Sequence, residues 1–130
     1  STIPLQKQFD LLAMAALGCY DFFNKYAVSE TAIKWSNDIY WKDKKAGGIL
    51  IETAYCNKER FAIVGIGLNI NQTVFDTSLK NPVSLKQITG KTYNVIDLAL
   101  ELCNCINNWY QVLENGDKEL LLKSYNEHLN

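Results

Sequence analysis

Within residues 8–26, Phe9, Leu11, Leu12, Ala15, Ala16, Cys19, Tyr20 and Phe23 recur at three- and four-residue intervals, a spacing that predicts a helix with one buried face. Pro4 stands just before it, at a helix entrance or turn. After Thr31 the period shortens. Residues 32–35, 38–41, 48–55 and 61–67 are β-rich runs, and the segments between them read as hairpin loops: the charged stretch 42–45 ahead of Gly47-Gly48, and residues 57–60. An antiparallel sheet follows from that order. Residues 69–82 lack periodicity and read as a loop, and Ser84 is placed to start a short helix over 84–88. Ile96, Ala99, Leu100, Cys103, Ile106, Tyr110 and Leu113 predict a further helix over 95–113 with Gly116 at its C-cap, and a last one runs from Asp117 towards Leu129. Helices on either side of a run of strands make an α+β domain whose sheet is covered on one face.

A chain of 130 residues with 48% hydrophobic content has room for one domain and a core. Thirteen basic residues against fourteen acidic ones, without a basic cluster, exclude a phosphate backbone as the partner of this segment. Cys19, Cys56, Cys103 and Cys105 form no C-x-x-C pair, and His128 is the only histidine, so the cysteines read as reduced core thiols of a cytoplasmic protein. No apolar run approaches the ~20 residues that a membrane span needs. Ser1 does not look like a natural start and Asn130 falls in an apparently helical stretch, so neighbouring segments are expected at both ends.

Two clusters could carry chemistry. The first is Lys34-Trp35-Ser36-Asn37-Asp38 with Lys45 and Gly47-Gly48 beyond it. Strand alternation turns Lys34, Ser36 and Asp38 to one side and Trp35 and Asn37 to the other, unless a kink intervenes. Lysine offers a compact charge to phosphate, and an asparagine amide both donates and accepts. Each such lysine, taken singly, is also an ordinary surface charge. The second cluster is Gly65-Ile66-Gly67-Leu68-Asn69-Ile70-Asn71 at the end of a strand. Two glycines one residue apart let a backbone approach a ligand, yet without a third glycine and a following helix they fit a β-bulge or a tight strand crossing equally well.

Taken together, the run from Lys34 to Glu52 (K-W-S-N-D-I-Y-W-K-D-K-K-A-G-G-I-L-I-E), then V-G-I-G-L-N-I-N from Val64 and N-P-V-S-L from Asn81, resemble the ordered motifs of biotin–protein ligases. The resemblance implies a fold like that of biotin ligases and class II aminoacyl-tRNA synthetases. It also implies a two-step reaction: biotin and ATP give biotinyl-5′-AMP, and biotin then passes to a lysine of a biotin carboxyl carrier protein domain. On that resemblance Lys45 is the catalytic lysine, reaching both the biotin carboxylate and the α-phosphate, with Asp38 orienting it or assisting the incoming amine. Lys34, Asn37 and Asn69 bind the nucleotide, with Mg²⁺ near Asn37 and Asn69, and Gly48, Leu50, Gly65 and Gly67 line the biotin slot. No metal site in the protein alone is expected, and a homodimer is compatible with the family.

Ser36 stands where the family has proline, which frees the backbone before Asn37. The family's Gly- and Arg-rich loop is expected upstream of Ser1 and its small β-barrel after the last helix, so this segment alone is expected to ligate little. The rivals are a lipoate ligase or lipoyl transferase of the same architecture, and an inactive segment serving as a binding scaffold.

Overall fold

The computed structural model describes residues 5–35 and 37–130, so the expectations for Pro4 and Ser36 lie outside the described residues. The elements run α1 (Leu5–Ala27), β1 (Thr31–Lys34), β2 (Asp38–Trp41), β3 (Lys44–Cys56), β4 (Glu59–Leu68), α2 (Leu85–Thr89), α3 (Val95–Glu114) and α4 (Lys118–His128). The four strands form one sheet in the order β1-β2-β3-β4, and every neighbouring pair is antiparallel. Both predicted hairpin loops are shorter than expected. Lys44 and Lys45 belong to β3, leaving Lys42 and Asp43 as the turn, with Lys42 at φ 55°. At the second, Asn57 and Lys58 form a two-residue turn with φ 50° and 66°, the positive values that a tight hairpin in register with its twisted strands demands.

α1 lies against all four strands on one side and against α3 and α4 on the other. For that reason Ala13 to Cys19 are buried right round the helix rather than along one stripe, as the sequence pattern suggested. Gly18 permits the close crossing of α1 and α3: a Cβ there would stand 2.5 Å from Ile106 Cγ1 and 2.8 Å from Ile106 Cα. α3 turns Leu98, Leu102, Cys105, Ile106, Trp109, Val112 and Leu113 inward, while Ile96 and Leu100 remain exposed. The predicted stripe through 96, 100 and 103 is thus displaced. This helix carries apolar residues on more than one face, and only contact with α1 selects among them.

Ser84 caps α2 through a reciprocal exchange with Gln87, and Gly90 closes it in the left-handed region. The C-cap of α3 is Asn115, with Gly116 following at φ 79°. α4 ends at His128. Leu129 is extended and bridges to Ile33, and Asn130 N donates to the Ile33 carbonyl, so the chain here leaves the helix and meets the edge of β1.

All four cysteines are free, but only Cys19 is a fully buried thiol. Burial, aided by the neighbouring Cys105, pushes its pKa up to about 12, which keeps it protonated and inert. Cys105 is half-buried, whereas Cys56 and Cys103 are exposed, correcting the expectation of four core thiols. Cys56 ends β3 at the protruding hairpin, and Cys103 lies on the outer face of α3.

Glycines in the sheet divide by what surrounds them. A Cβ on Gly47 would lie 2.1 Å from the Gly67 carbonyl oxygen and 2.6 Å from Leu68 Cδ2, whereas one on Gly67 would meet nothing within 4 Å. Gly47→Ala should therefore force β3 from β4 and cost about 2–3 kcal/mol in urea unfolding. Gly67→Ala should be neutral or stabilising by about 0.5 kcal/mol, because it only reduces backbone entropy. Equal losses from the two would show that the close approach at Gly47 does not govern the pairing of β3 with β4.

Candidate active site

Ile33, Ile39 and Ile49 point into the core. Alternation accordingly turns Lys34 on β1, Asp38 and Tyr40 on β2, and Gly48 and Leu50 on β3 to the opposite, open face. Lys45 is three residues from Gly48 and in a regular strand would face the core side. A bulge prevents this. Ile39 pairs with Gly47 and Tyr40 with Lys45, so Ala46 is an extra residue in β3 that returns Lys45 to the open face beside Tyr40.

The backbone around the bulge is held by chain from beyond the sheet. Lys45 N donates to the Asn81 carbonyl, Val83 N to the Lys45 carbonyl and Asn69 N to the Ala46 carbonyl, at 2.8, 3.0 and 2.8 Å. Asn81, at φ 54°, donates from Nδ2 to the Asp43 carbonyl. Upstream of it, Asp76 accepts from Ser78 N at 2.8 Å, and hydrogen bonds from the Ser78 backbone and then its side chain hold the carboxyl below the usual range. The predicted loop 69–82 is therefore a fixed wall facing the sheet.

Between that wall and the sheet is an open cleft of about 560 Å³. Lys34, Tyr40, Lys45 and Gly48 line its sheet side, Ser78 to Pro82 its loop side, and Asp43 and Asn69 also border it. Lys45 Nζ stands 3.5 Å from Asp38 Oδ1 in a partly exposed pair. Lys34 Nζ lies 4.2 Å from the centroid of the Tyr40 ring.

Of the residues singled out in the sequence, Lys34, Lys45, Asn69 and Gly48 thus meet in one cleft. Asp38 adjoins it through Lys45, and a Cβ on Gly48 would come 3.1 Å from Asp38 Oδ1. Asn37 is engaged elsewhere: its Nδ2 donates to the Ile49 carbonyl and its own carbonyl accepts from Ile49 N, both at 2.8 Å, which ties the β1–β2 turn to β3. The alternation expected for Trp35 and Asn37 does not apply, because both lie in that turn; Trp35 is exposed, with its ring 5.8 Å from Phe9 on α1. Asn71 is also structural, clasping Tyr93 through both its amide nitrogen and its oxygen.

Gly67 pairs with Gly48 and Gly65 with Leu50 in regular register, so the G-x-G run is not a bulge. Partners in an antiparallel pair share a face, which places all four side by side on the open face next to the cleft. Leu50 is 58% exposed there. A Cβ on Gly65 would touch the Leu50 carbonyl oxygen at 3.7 Å, ordinary contact, and the space over Gly67 is clear. Internal packing does not require either glycine.

Sequence reasoning passed over Tyr40, Asp43, Ser78, Leu79 and Lys80 as cleft residues. Tyr40 was within reach, since it is two residues from Asp38 on one strand. The 78–82 wall was not, because its place depends on hydrogen bonds to β3. Among the described residues, no group of three or more His, Cys, Asp and Glu side chains is placed to hold a metal ion, and no helix is long and apolar enough to cross a membrane.

The model of the biotin/lipoate A/B protein ligase family matches residues 2–71. The bifunctional ligase/repressor BirA of Bacillus subtilis is 35% identical over 113 residues, covering 84% of this chain and 35% of that protein. Biotin–protein ligase 2 of Arabidopsis thaliana is 40% identical over 87 residues, covering 56% of this chain and 26% of the relative. Among solved structures, the apo biotin protein ligase of Aquifex aeolicus superposes with a TM-score of 0.83 at 23% identity, over 97% of this chain and 56% of that one. The same ligase in complex with biotin and ATP gives 0.71 at 26% identity, over 82% and 45%. The chain thus spans about a third of the BirA relative and about half of the solved ligase. With more than half of its length matched, this chain belongs to the biotin/lipoate A/B protein ligase family.

Proposed function

We propose that the chain is the adenylate-forming core of an ATP-dependent biotin–protein ligase. One observation carries the reading: a cleft bearing Lys34 and Lys45 runs onto a floor of Gly48, Gly65 and Gly67 beside exposed Leu50. Anion-binding charge thus adjoins a partly apolar shelf that is clear over Gly67. Biotin suits that shelf with its ring system, and its carboxylate would extend towards Lys45. The family's solved member in complex with biotin and ATP supports the same assignment.

In the first step the biotin carboxylate oxygen attacks the α-phosphorus, the bond to the bridging oxygen breaks, and pyrophosphate leaves. Lys45 would lie between two anions and offset charge growing on the phosphoryl oxygens. Asp38 would orient it, and the 3.5 Å separation supports that role. In the second step a lysine amine of a carboxyl carrier domain attacks the acyl carbon and AMP departs. Lys34 and Asn69 would hold the nucleotide, with Asn37 acting through the turn that it stabilises. Mg²⁺ would arrive on the ATP phosphates, keeping several waters, since the ion is rarely caged by protein alone. The cytoplasm, with its reducing poise, suits the four free thiols.

In the full-length protein, Lys45→Ala should slow pyrophosphate release from ATP and biotin by about two to three powers of ten. Lys45→Arg should restore little, because a planar guanidinium does not fill the place of one ammonium between two anions. A first step within about twofold of wild type in Lys45→Ala would remove Lys45 from the mechanism. Replacing biotin with lipoate in the same assay should give no pyrophosphate; release with lipoate alone would assign the chain to the lipoate branch of the family.

Gly67→Val raises a branched side chain over the shelf from a position where a Cβ meets nothing within 4 Å. It should weaken biotin binding at least about tenfold, the cost of a steric clash of ~1.4 kcal/mol or more, while leaving the urea midpoint unchanged. Unaltered biotin affinity would place the slot elsewhere.

A further inference from the structure

We propose that Tyr40 is a positioning residue that holds the Lys34 ammonium, by a cation–π contact, in the orientation that receives the phosphates of ATP; the proposal rests on the ligase reading above. The register makes the point. Lys34 pairs directly with Asp38 across β1 and β2, the position from which a lysine would normally take a carboxylate. Asp38 Oδ1 instead stands 3.5 Å from Lys45 Nζ, and the Lys34 ammonium lies 4.2 Å from the ring centroid of Tyr40, its diagonal neighbour. Two lysines on one cleft are thus held by two different kinds of partner.

The difference has chemical consequences. A carboxylate takes up one of an ammonium's N–H donors and offsets part of its charge, which an incoming phosphate must then share. An aromatic face attracts the cation through its quadrupole but carries no net charge, so Lys34 keeps its full charge and its outward N–H donors for the ligand. Lysine also carries considerable rotamer entropy, part of which is lost before the nucleotide arrives if the side chain already rests on the ring. Cation–π contacts alone are not diagnostic, since Lys42 lies over Trp41 at 4.7 Å outside the cleft. What separates the Lys34–Tyr40 pair is that both residues line the cleft and that the register-matched carboxylate serves the other lysine.

The test uses full-length protein with saturating biotin and measures binding of α,β-methylene-ATP by calorimetry, so that turnover does not intervene. Tyr40→Leu should weaken the affinity about fivefold, and Tyr40→Phe, which keeps the ring, should stay within about twofold of wild type. In the first-step assay the Tyr40→Leu loss should appear in the KM for ATP rather than in kcat. On a Lys34→Ala background Tyr40→Leu should add nothing, because its effect passes through the lysine. Should Tyr40→Leu fold poorly, a series of phenylalanines with increasing ring fluorination at position 40 keeps the size and drains the π face. Affinity should then fall stepwise with each fluorine. A flat series, a Tyr40→Leu affinity equal to wild type, or additive losses from Tyr40→Leu and Lys34→Ala would each overturn the proposal while the ligase reading stands. A wild-type protein that binds no α,β-methylene-ATP would overturn both.

Discussion

One extra residue in β3 organises the candidate site. Without the bulge at Ala46, Lys45 and Gly48 would point to opposite sides of the sheet, and the lysine would be driven towards the core. A bulge leaves backbone groups without ladder partners, and these must be satisfied elsewhere. Here Asn69 N serves the carbonyl of the extra residue Ala46, and beside it Lys45 exchanges hydrogen bonds with Asn81 and Val83 beyond the end of β4, so the chain around the kink also holds the opposite wall of the cleft.

The two faces of the sheet do different work. On the inner face Ile33, Ile39, Ala46 and Ile49 join the α1 residues in a continuous core, and Gly47 is needed so that the backbones of β3 and β4 can approach. On the outer face the space over Gly67 is open and that over Gly65 meets only the Leu50 carbonyl oxygen at 3.7 Å, whereas Asp38 Oδ1 would lie 3.1 Å from a Cβ on Gly48. Glycine within a strand weakens it, and at Gly65 and Gly67 internal packing does not require one.

Charge in the cleft is arranged as carefully as shape. Lys45 faces a carboxylate and Lys34 an aromatic ring, although strand pairing alone would have offered both lysines the same region of β2. Both partners are partly exposed, so neither contact contributes much to stability. Beyond the cleft, the α1–α3 crossing at Gly18 and the burial of α1 on both sides give the sheet a firm backing, which a site built on strands requires.

The sequence by itself determined the order and kind of every element, because strand alternation, helical spacing and cap residues such as Ser84 are local signals. It also singled out Lys34, Lys45, Gly48 and Asn69, through ordered motifs that together resemble one family. Tertiary structure decided the rest. A bulge is invisible to period-2 reasoning, so nothing local placed Lys45 beside Tyr40; the inward stripe of α3 was chosen by Ile106 meeting Gly18; and Asn37 and Asn71, chemically apt as ligands, were claimed by backbone groups of Ile49 and Tyr93. In each case the deciding partner lies on another segment of chain, from the neighbouring strand of a hairpin for Lys45 to α3 for Gly18, and a hydrogen bond or close approach between segments leaves no mark on either segment alone.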